Sequence, residues 1–178
     1  MIKKACISFL IISIIVLSGI GLWANNEQPK KEYLRIHIRA NSNIEKDQQV
    51  KYLIKDKVVE YLTPFIAECN DKQSAIKMLN SSLKEIEKVS KKVLKEEGFD
   101  YEVKAKVKTE NFPTRYYQGL CLESGFYDAL IIEIGSAKGD NWWCVVYPPL
   151  CFTSGGQGCF YRSKILDIIN DFFNKEKE

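Results

Sequence analysis

The sequence predicts an α+β domain, with a helical hairpin and a C-terminal helix packed on a mixed, largely antiparallel sheet. Three observations carry this. Residues 33–40 and 101–109 alternate apolar and polar side chains with the period of a half-buried strand. Two stretches between them repeat apolar residues at helical spacing. After them come further β-rich runs and a last amphipathic stretch, so strands cluster behind the helices, as in α+β folds.

In the first strand Leu34, Ile36, Ile38 and Ala40 share one face, and Tyr33, Arg35, His37 and Arg39 share the other. The second face is basic and is expected to meet solvent. Asn41, Ser42 and Asn43 end the strand. Ser42 with Glu45 three residues on has the form of a capping box, so a helix should start here. Val50, Leu53, Ile54, Val58, Tyr61, Leu62 and Phe65 mark its apolar face, and Pro64 sets its end near Thr63. Asn70 and Asp71 offer a second cap. Ile76, Leu79, Leu83, Ile86, Val89 and Val93 then define a long helix that stops at Gly98. Its alternating Lys and Glu residues read as a solvated face.

Tyr101, Val103, Ala105, Val107 and Thr109 alternate with Glu102, Lys104, Lys106 and Lys108; three lysines on one face suit an edge strand. Residues 111–114 break it. A weaker strand is expected at 116–122, then a turn at 123–125. Residues 126–134 form an apolar run suited to a central strand. Residues 135–141 read as a loop, 142–147 as a strand ended by Pro148 and Pro149, 154–158 as a flexible glycine-rich loop, and 161–174 as the last helix.

Ahead of this domain stand a leader (1–24) and a polar tether (25–32). Lys3 and Lys4 precede an uncharged, mostly apolar run at 5–22, followed by Trp23, Ala24 and polar Asn25: the pattern of an export signal. Two readings follow: cleavage between Ala24 and Asn25, or a leader retained as an N-terminal membrane anchor. Export places residues 33–178, as a single domain, outside the cytoplasm. The formal charge is +3, of which Lys3 and Lys4 supply two, so the domain has no electrostatic basis for binding nucleic acid.

Six cysteines are present. With Cys6 in the leader, Cys69, Cys121, Cys144, Cys151 and Cys159 remain, an odd set that leaves at least one thiol unpaired within the chain. Cys144 and Cys151 flank the stiff Tyr147-Pro148-Pro149 segment and are the candidate disulfide, worth about 2.5 kcal/mol in the chain-entropy picture. The alternative is that both are small buried apolar side chains.

Catalytic signatures are thin. His37 is the single histidine. No Gly-x-Ser-x-Gly elbow, P-loop or Cys-x-x-Cys pair occurs, and Glu123, Asp128 and Glu133 have no matching set of metal ligands. No catalytic, cofactor or metal site is therefore assigned. The segment at 141–152, Asn-Trp-Trp-Cys-Val-Val-Tyr-Pro-Pro-Leu-Cys-Phe, stands out. Alternation sends Trp142 and Trp143 to opposite faces, so one enters the core and the other needs a cover or a partner. Trp142, Trp143, Pro148 and Pro149, with the basic face of Arg35, His37 and Arg39, are the candidate partner-binding residues.

These segments carry a family resemblance. The Leu-Arg-Ile-His-Ile-Arg-Ala-Asn-Ser-Asn run at 34–43, Asp47 and Gln48, Phe-Pro-Thr at 112–114, and the 141–152 segment together resemble the stage II sporulation protein R family. The resemblance spans nearly all of the domain. It implies a signalling protein of endospore-forming bacteria, made in the forespore and exported into the space between forespore and mother cell. There it would activate a membrane-embedded aspartic protease that processes pro-sigma-E, its expected partner. Membrane contact would come only through a retained leader. The resemblance implies neither catalytic residues nor a cofactor. Two other readings stay open from the residues: an exported thiol- or His-dependent cell-envelope enzyme, and a structural envelope protein.

Overall fold

The computed structural model describes residues 33–117, 120–153 and 159–176. The leader with its Ala24/Asn25 junction, the tether, Cys6 and the glycine-rich loop at 154–158 lie outside the described residues. Six strands form, β1 (Leu34–Arg39), β2 (Val103–Phe112), β3 (Arg115–Tyr117), β4 (Leu120–Leu122), β5 (Gly125–Ile134) and β6 (Asn141–Tyr147). The helices are α1 (Glu45–Ile66), α2 (Lys72–Glu96) and α3 (Cys159–Lys175), and a 3₁₀ turn spans Leu150–Phe152. The fold is α+β.

The main sheet has the order β2-β5-β1-β6. β1 runs parallel to β5 and antiparallel to β6, and β2 runs antiparallel to β5. The lysine-bearing strand is thus an edge and the apolar run a central strand, as their side chains predict. The weak strand expected at 116–122 is instead two short strands, β3 and β4, paired with each other in a separate sheet.

Leu34, Ile36 and Ile38 of β1, with Leu130, Ile132 and Ile134 of β5, turn to the helical hairpin and pack with Val50, Ile54, Val58, Leu62, Leu79, Ile86 and Val93. Each such side chain, fully buried, contributes about 1.5–3 kcal/mol of transfer free energy. This two-layer core is the chief support of the sheet.

The helix ends divide. At α2, Asp71 caps as expected: its carboxylate accepts from the Ser74 amide at 2.7 Å, and the Ser74 hydroxyl in turn receives the Asp71 amide. Gly98, at φ +78°, terminates the helix in a conformation that favours glycine. At α1 the helix starts at the expected place without the expected box. Ile44 occupies the cap position with no side-chain bond. Ser42 is drawn elsewhere, because buried Asp47 takes its hydroxyl at 2.6 Å and the Asn41 amide at 2.8 Å. Pro64 lies inside the last turn, and α1 runs on to Ile66.

The Asn-Ser-Asn run is a clamp on the loop at 135–140. Asn41 Oδ1 accepts from the Ser136 amide, the Asn41 carbonyl accepts from the Ser136 hydroxyl, and Asn43 Oδ1 accepts from the Asp140 amide. Gly139 fits because a Cβ there would sit 2.2 Å from the Ser42 carbonyl oxygen.

Candidate functional site

β1 presents its second face away from α1 and α2. The sequence reading puts Arg35, His37 and Arg39 there in solvent, and for the first two the structure overturns this. Arg35 is 0% and His37 1% exposed. A second core closes over them, built from Tyr33, Phe112, Leu122, Tyr127, Ala129, Ile131 and Val145, with Tyr117, Leu120, Trp143 and Leu150 packed against it. The β3–β4 hairpin supplies three of these covers, Tyr117, Leu120 and Leu122. A polar strand face became an interior because a hairpin forms where one weak strand was read.

Arg35 lies in an aromatic box. Its guanidinium carbon sits 4.3 Å from the Phe112 ring centroid, 4.9 Å from Tyr127 and 5.7 Å from Tyr117. Nη2 donates to the Tyr117 hydroxyl at 2.6 Å, while Nε and Nη1 find no hydrogen-bond partner. Ring faces thus stand in for a carboxylate. Such contacts are worth about 2 kcal/mol or more when desolvated, against several kcal/mol for burying the ion. Burial pushes the Tyr117 phenol up, and the nearby Arg35 charge only partly opposes it.

His37 is sandwiched differently. Its ring stacks on Trp143 at 3.6 Å and 20°, and Phe112 meets it edge-on at 5.9 Å. Nδ1 lies 2.9 Å from Glu110 Oε2, while Nε2 is buried without a partner. Burial lowers the His37 pKa, outweighing the opposing pull of Glu110. A neutral ring that donates from Nδ1–H to the carboxylate suits this geometry. Burial pushes Glu110 up, but hydrogen bonds from His37 and Lys108 and the charge of Arg39 hold its carboxyl below its ordinary value.

Arg39 is half-buried at the open end of the same face. It donates to Glu133 Oε1 at 2.9 Å and to Glu110 Oε1. Lys106 reaches Glu133 at 2.7 Å, and Lys108 reaches Glu110 at 3.1 Å. At its open end the basic face is therefore met by carboxylates of β2 and β5, Glu110 and Glu133.

Trp142 and Trp143 do take opposite faces. Both are half-buried. Trp142 packs against the helix-side core, with Lys55 Nζ 5.9 Å from its ring. Trp143 joins the second core between His37 and Arg115, whose guanidinium carbon lies 5.9 Å away. Pro148 and Pro149 are buried, so neither is an outward-facing contact; Tyr147–Pro148 is a cis peptide. Cys144 and Cys151 are free thiols, and both line one cavity. It measures about 420 Å³ and is also lined by Lys55, Tyr116, Tyr117, Trp142 and Leu150.

Cys144 pairs in register with Ile36, and His37 pairs with Trp143, so the Cys144 thiol and the imidazole occupy opposite faces of the sheet. They cannot form a nucleophile–base pair. Among the described residues no cluster of three His, Cys, Asp or Glu side chains is arranged to hold a metal ion.

Glu110, Phe112, Tyr117 and Tyr127 were missed as members of this site. One signal was present: Glu110 continues the 104, 106, 108 parity with an acid where three lysines precede it.

A family model described as stage II sporulation protein R matches residues 30–157, which include every strand of the sheet and both faces just described. The chain belongs to the stage II sporulation protein R family. It is 31% identical over 166 residues to the stage II sporulation protein R of Bacillus subtilis (strain 168), an alignment covering 87% of this chain and 74% of that protein. No solved structure matches. The motifs that carry the resemblance now have physical roles: Arg35 and His37 fill the second core, Asn41 to Asn43 clamp a loop, and Phe112 is the ring shared by Arg35, His37 and Trp143.

Proposed function

We propose that this chain is an exported signalling protein of sporulation, made in the forespore, that activates a membrane-embedded aspartic protease in the mother-cell membrane and so triggers processing of pro-sigma-E. Family membership is the observation that carries the reading. The basic, then apolar leader supports delivery across the forespore membrane, with cleavage after Ala24 or retention as an anchor. The protein acts as a ligand and not as an enzyme. Burial of the His37 Nε2 atom and the separation of His37 from Cys144 support that role.

A ligand activates by binding the active state of its receptor more tightly than the inactive one. The partner surface is narrower than the sequence reading has it. Arg35, His37, Pro148 and Pro149 are internal and act by holding the face together. What remains outward is the hairpin with Arg115 and Tyr116, the latter 79% exposed, next to the accessible edges of Trp142 and Trp143. An exposed tyrosine and arginine over half-buried tryptophans have the composition of a binding hot spot.

Reconstitution tests this. The full chain, the protease and pro-sigma-E are co-produced in a non-sporulating host, and processing is followed by immunoblot. Processing should require this chain and fall at least tenfold for a folded Tyr116→Ala/Arg115→Glu variant. Processing without the chain sinks the activator role; full activity of the double variant sinks only the surface.

A further inference from the structure

We propose that Cys144 and Cys151 are a thiol–disulfide couple, and that thiol–disulfide exchange with an external disulfide closes a bond between them that pins the 3₁₀ turn to β6. The fold builds the approach. β6 ends at Tyr147, and Pro148 and Pro149 turn the chain back. The Leu150 amide then bonds the Pro148 carbonyl at 2.7 Å and the Phe152 amide bonds the Pro149 carbonyl at 3.1 Å. The returning turn lays Cys151 Sγ 2.6 Å from the carbonyl oxygen of Val145, the residue after Cys144, and both cysteines line the same cavity.

The other described thiols are placed differently. Cys69 is buried at the end of α1, bonded to the Phe65 carbonyl at 3.4 Å, and burial pushes its pKa up. Cys121 is exposed on β4, paired in register with Tyr116 of β3. Among the described cysteines, Cys144 and Cys151 are the two that the fold brings to one cavity.

Roles within the couple follow from surroundings. The neighbouring Cys151 thiol, together with the positive charges of Arg35 and Lys55, favours the thiolate at Cys144, whereas burial disfavours it at Cys151. The neighbouring cavity gives a small disulfide, or the active-site disulfide of an oxidoreductase, a route to the sulfurs. The Cys144 thiolate attacks one sulfur of the external disulfide, forming a mixed disulfide and releasing the first thiolate. Cys151 loses its proton and attacks the Cys144 sulfur, releasing the second thiolate. One external disulfide is consumed, two thiols are released after protonation, and one intramolecular bond forms. The bond fixes the segment that carries Trp142 and Trp143.

The test uses the full purified chain incubated with oxidised glutathione, alkylated while folded, and mapped by mass spectrometry without reduction. A cross-linked peptide joining residues 144 and 151, lighter by two hydrogen atoms, is expected. Reduction should lower the thermal unfolding midpoint of the oxidised wild type and leave that of the Cys144→Ser/Cys151→Ser variant unchanged. If the serine variant does not fold, Cys144→Ala/Cys151→Val replaces it, and the peptide map decides alone. Alkylation of both thiols after oxidation, or linkage of either to Cys121 or Cys159, overturns the proposal. Processing of pro-sigma-E is a separate readout, so failure here leaves the signalling reading standing.

Discussion

The two faces of the central sheet are both buried, by opposite means. The helix side is closed by aliphatic side chains whose only requirement is to leave water. The hairpin side is closed over an arginine and a histidine held among aromatic rings. The first face is sensitive to cavities; the second depends on the balance between its buried polar groups and the rings and carboxylates around them. Substitutions at neighbouring β1 residues should therefore fail for different reasons.

The largest effect belongs to the aliphatic side. Ile36→Ala should cost about 2–5 kcal/mol in chemical denaturation, since Ile36 is wholly buried and the sheet cannot collapse into the space. On the other face Arg35→Met, which removes the ion but keeps most of its volume, should be neutral or stabilise by about 1–4 kcal/mol, because two of its guanidinium nitrogens are unbonded. Strong destabilisation by Arg35→Met would show that its contacts with Phe112 and Tyr127 outweigh desolvation, and the contrast between faces would dissolve.

Glu110→Gln comes next, at about 1–3 kcal/mol, because it weakens the bonds to both His37 and Arg39. The same variant should lower the His37 pKa further, measurable by imidazole NMR titration. Wild-type stability should carry an acid-side signature of this ring. The native His37 binds its proton less readily than the unfolded ring, whose pKa is about 6.5, so unfolding takes up a proton and stability falls as pH drops through that value. The loss levels off below the native pKa. Glu110, Glu133 and Asp47 are held low, so their contributions vanish only at more acidic pH, as these carboxylates protonate. His37→Gln should erase the upper step alone. The smallest effect is expected for Lys106→Ala, about 0–1 kcal/mol and weaker still in high salt, because that lysine is half-exposed at the sheet edge.

The helix side was legible because its requirement is periodic. Leu34, Ile36 and Ile38 alternate, the helices repeat, and Asp71 and Gly98 mark their ends, so pattern alone located these elements. The hairpin side was not, because its logic is pairwise and long-range. Nothing local distinguishes a solvated Arg35 from one enclosed by Phe112 and Tyr127, and a basic strand looks exposed until the carboxylates of β2 and β5 are brought across. Ser42 misled for a related reason: a residue fit to cap a helix was claimed by buried Asp47, which no short window reveals. Cys144 and Cys151 fell between these cases, since the two prolines between them announced the reversal that brings them together.

The placement of β1 has a consequence for delivery. Its two neighbours, β5 and β6, are the last strands of the chain to be made, and both pairings span most of the domain. If the chain is exported as proposed, it would emerge with this strand early and hold it without its β5 partner until Ile134, and without its β6 partner until Tyr147, had crossed. The central ladder would then be completed only late in the passage. Late, non-local pairing slows folding, and on the proposed export route that slowness would leave the chain pliable during transit.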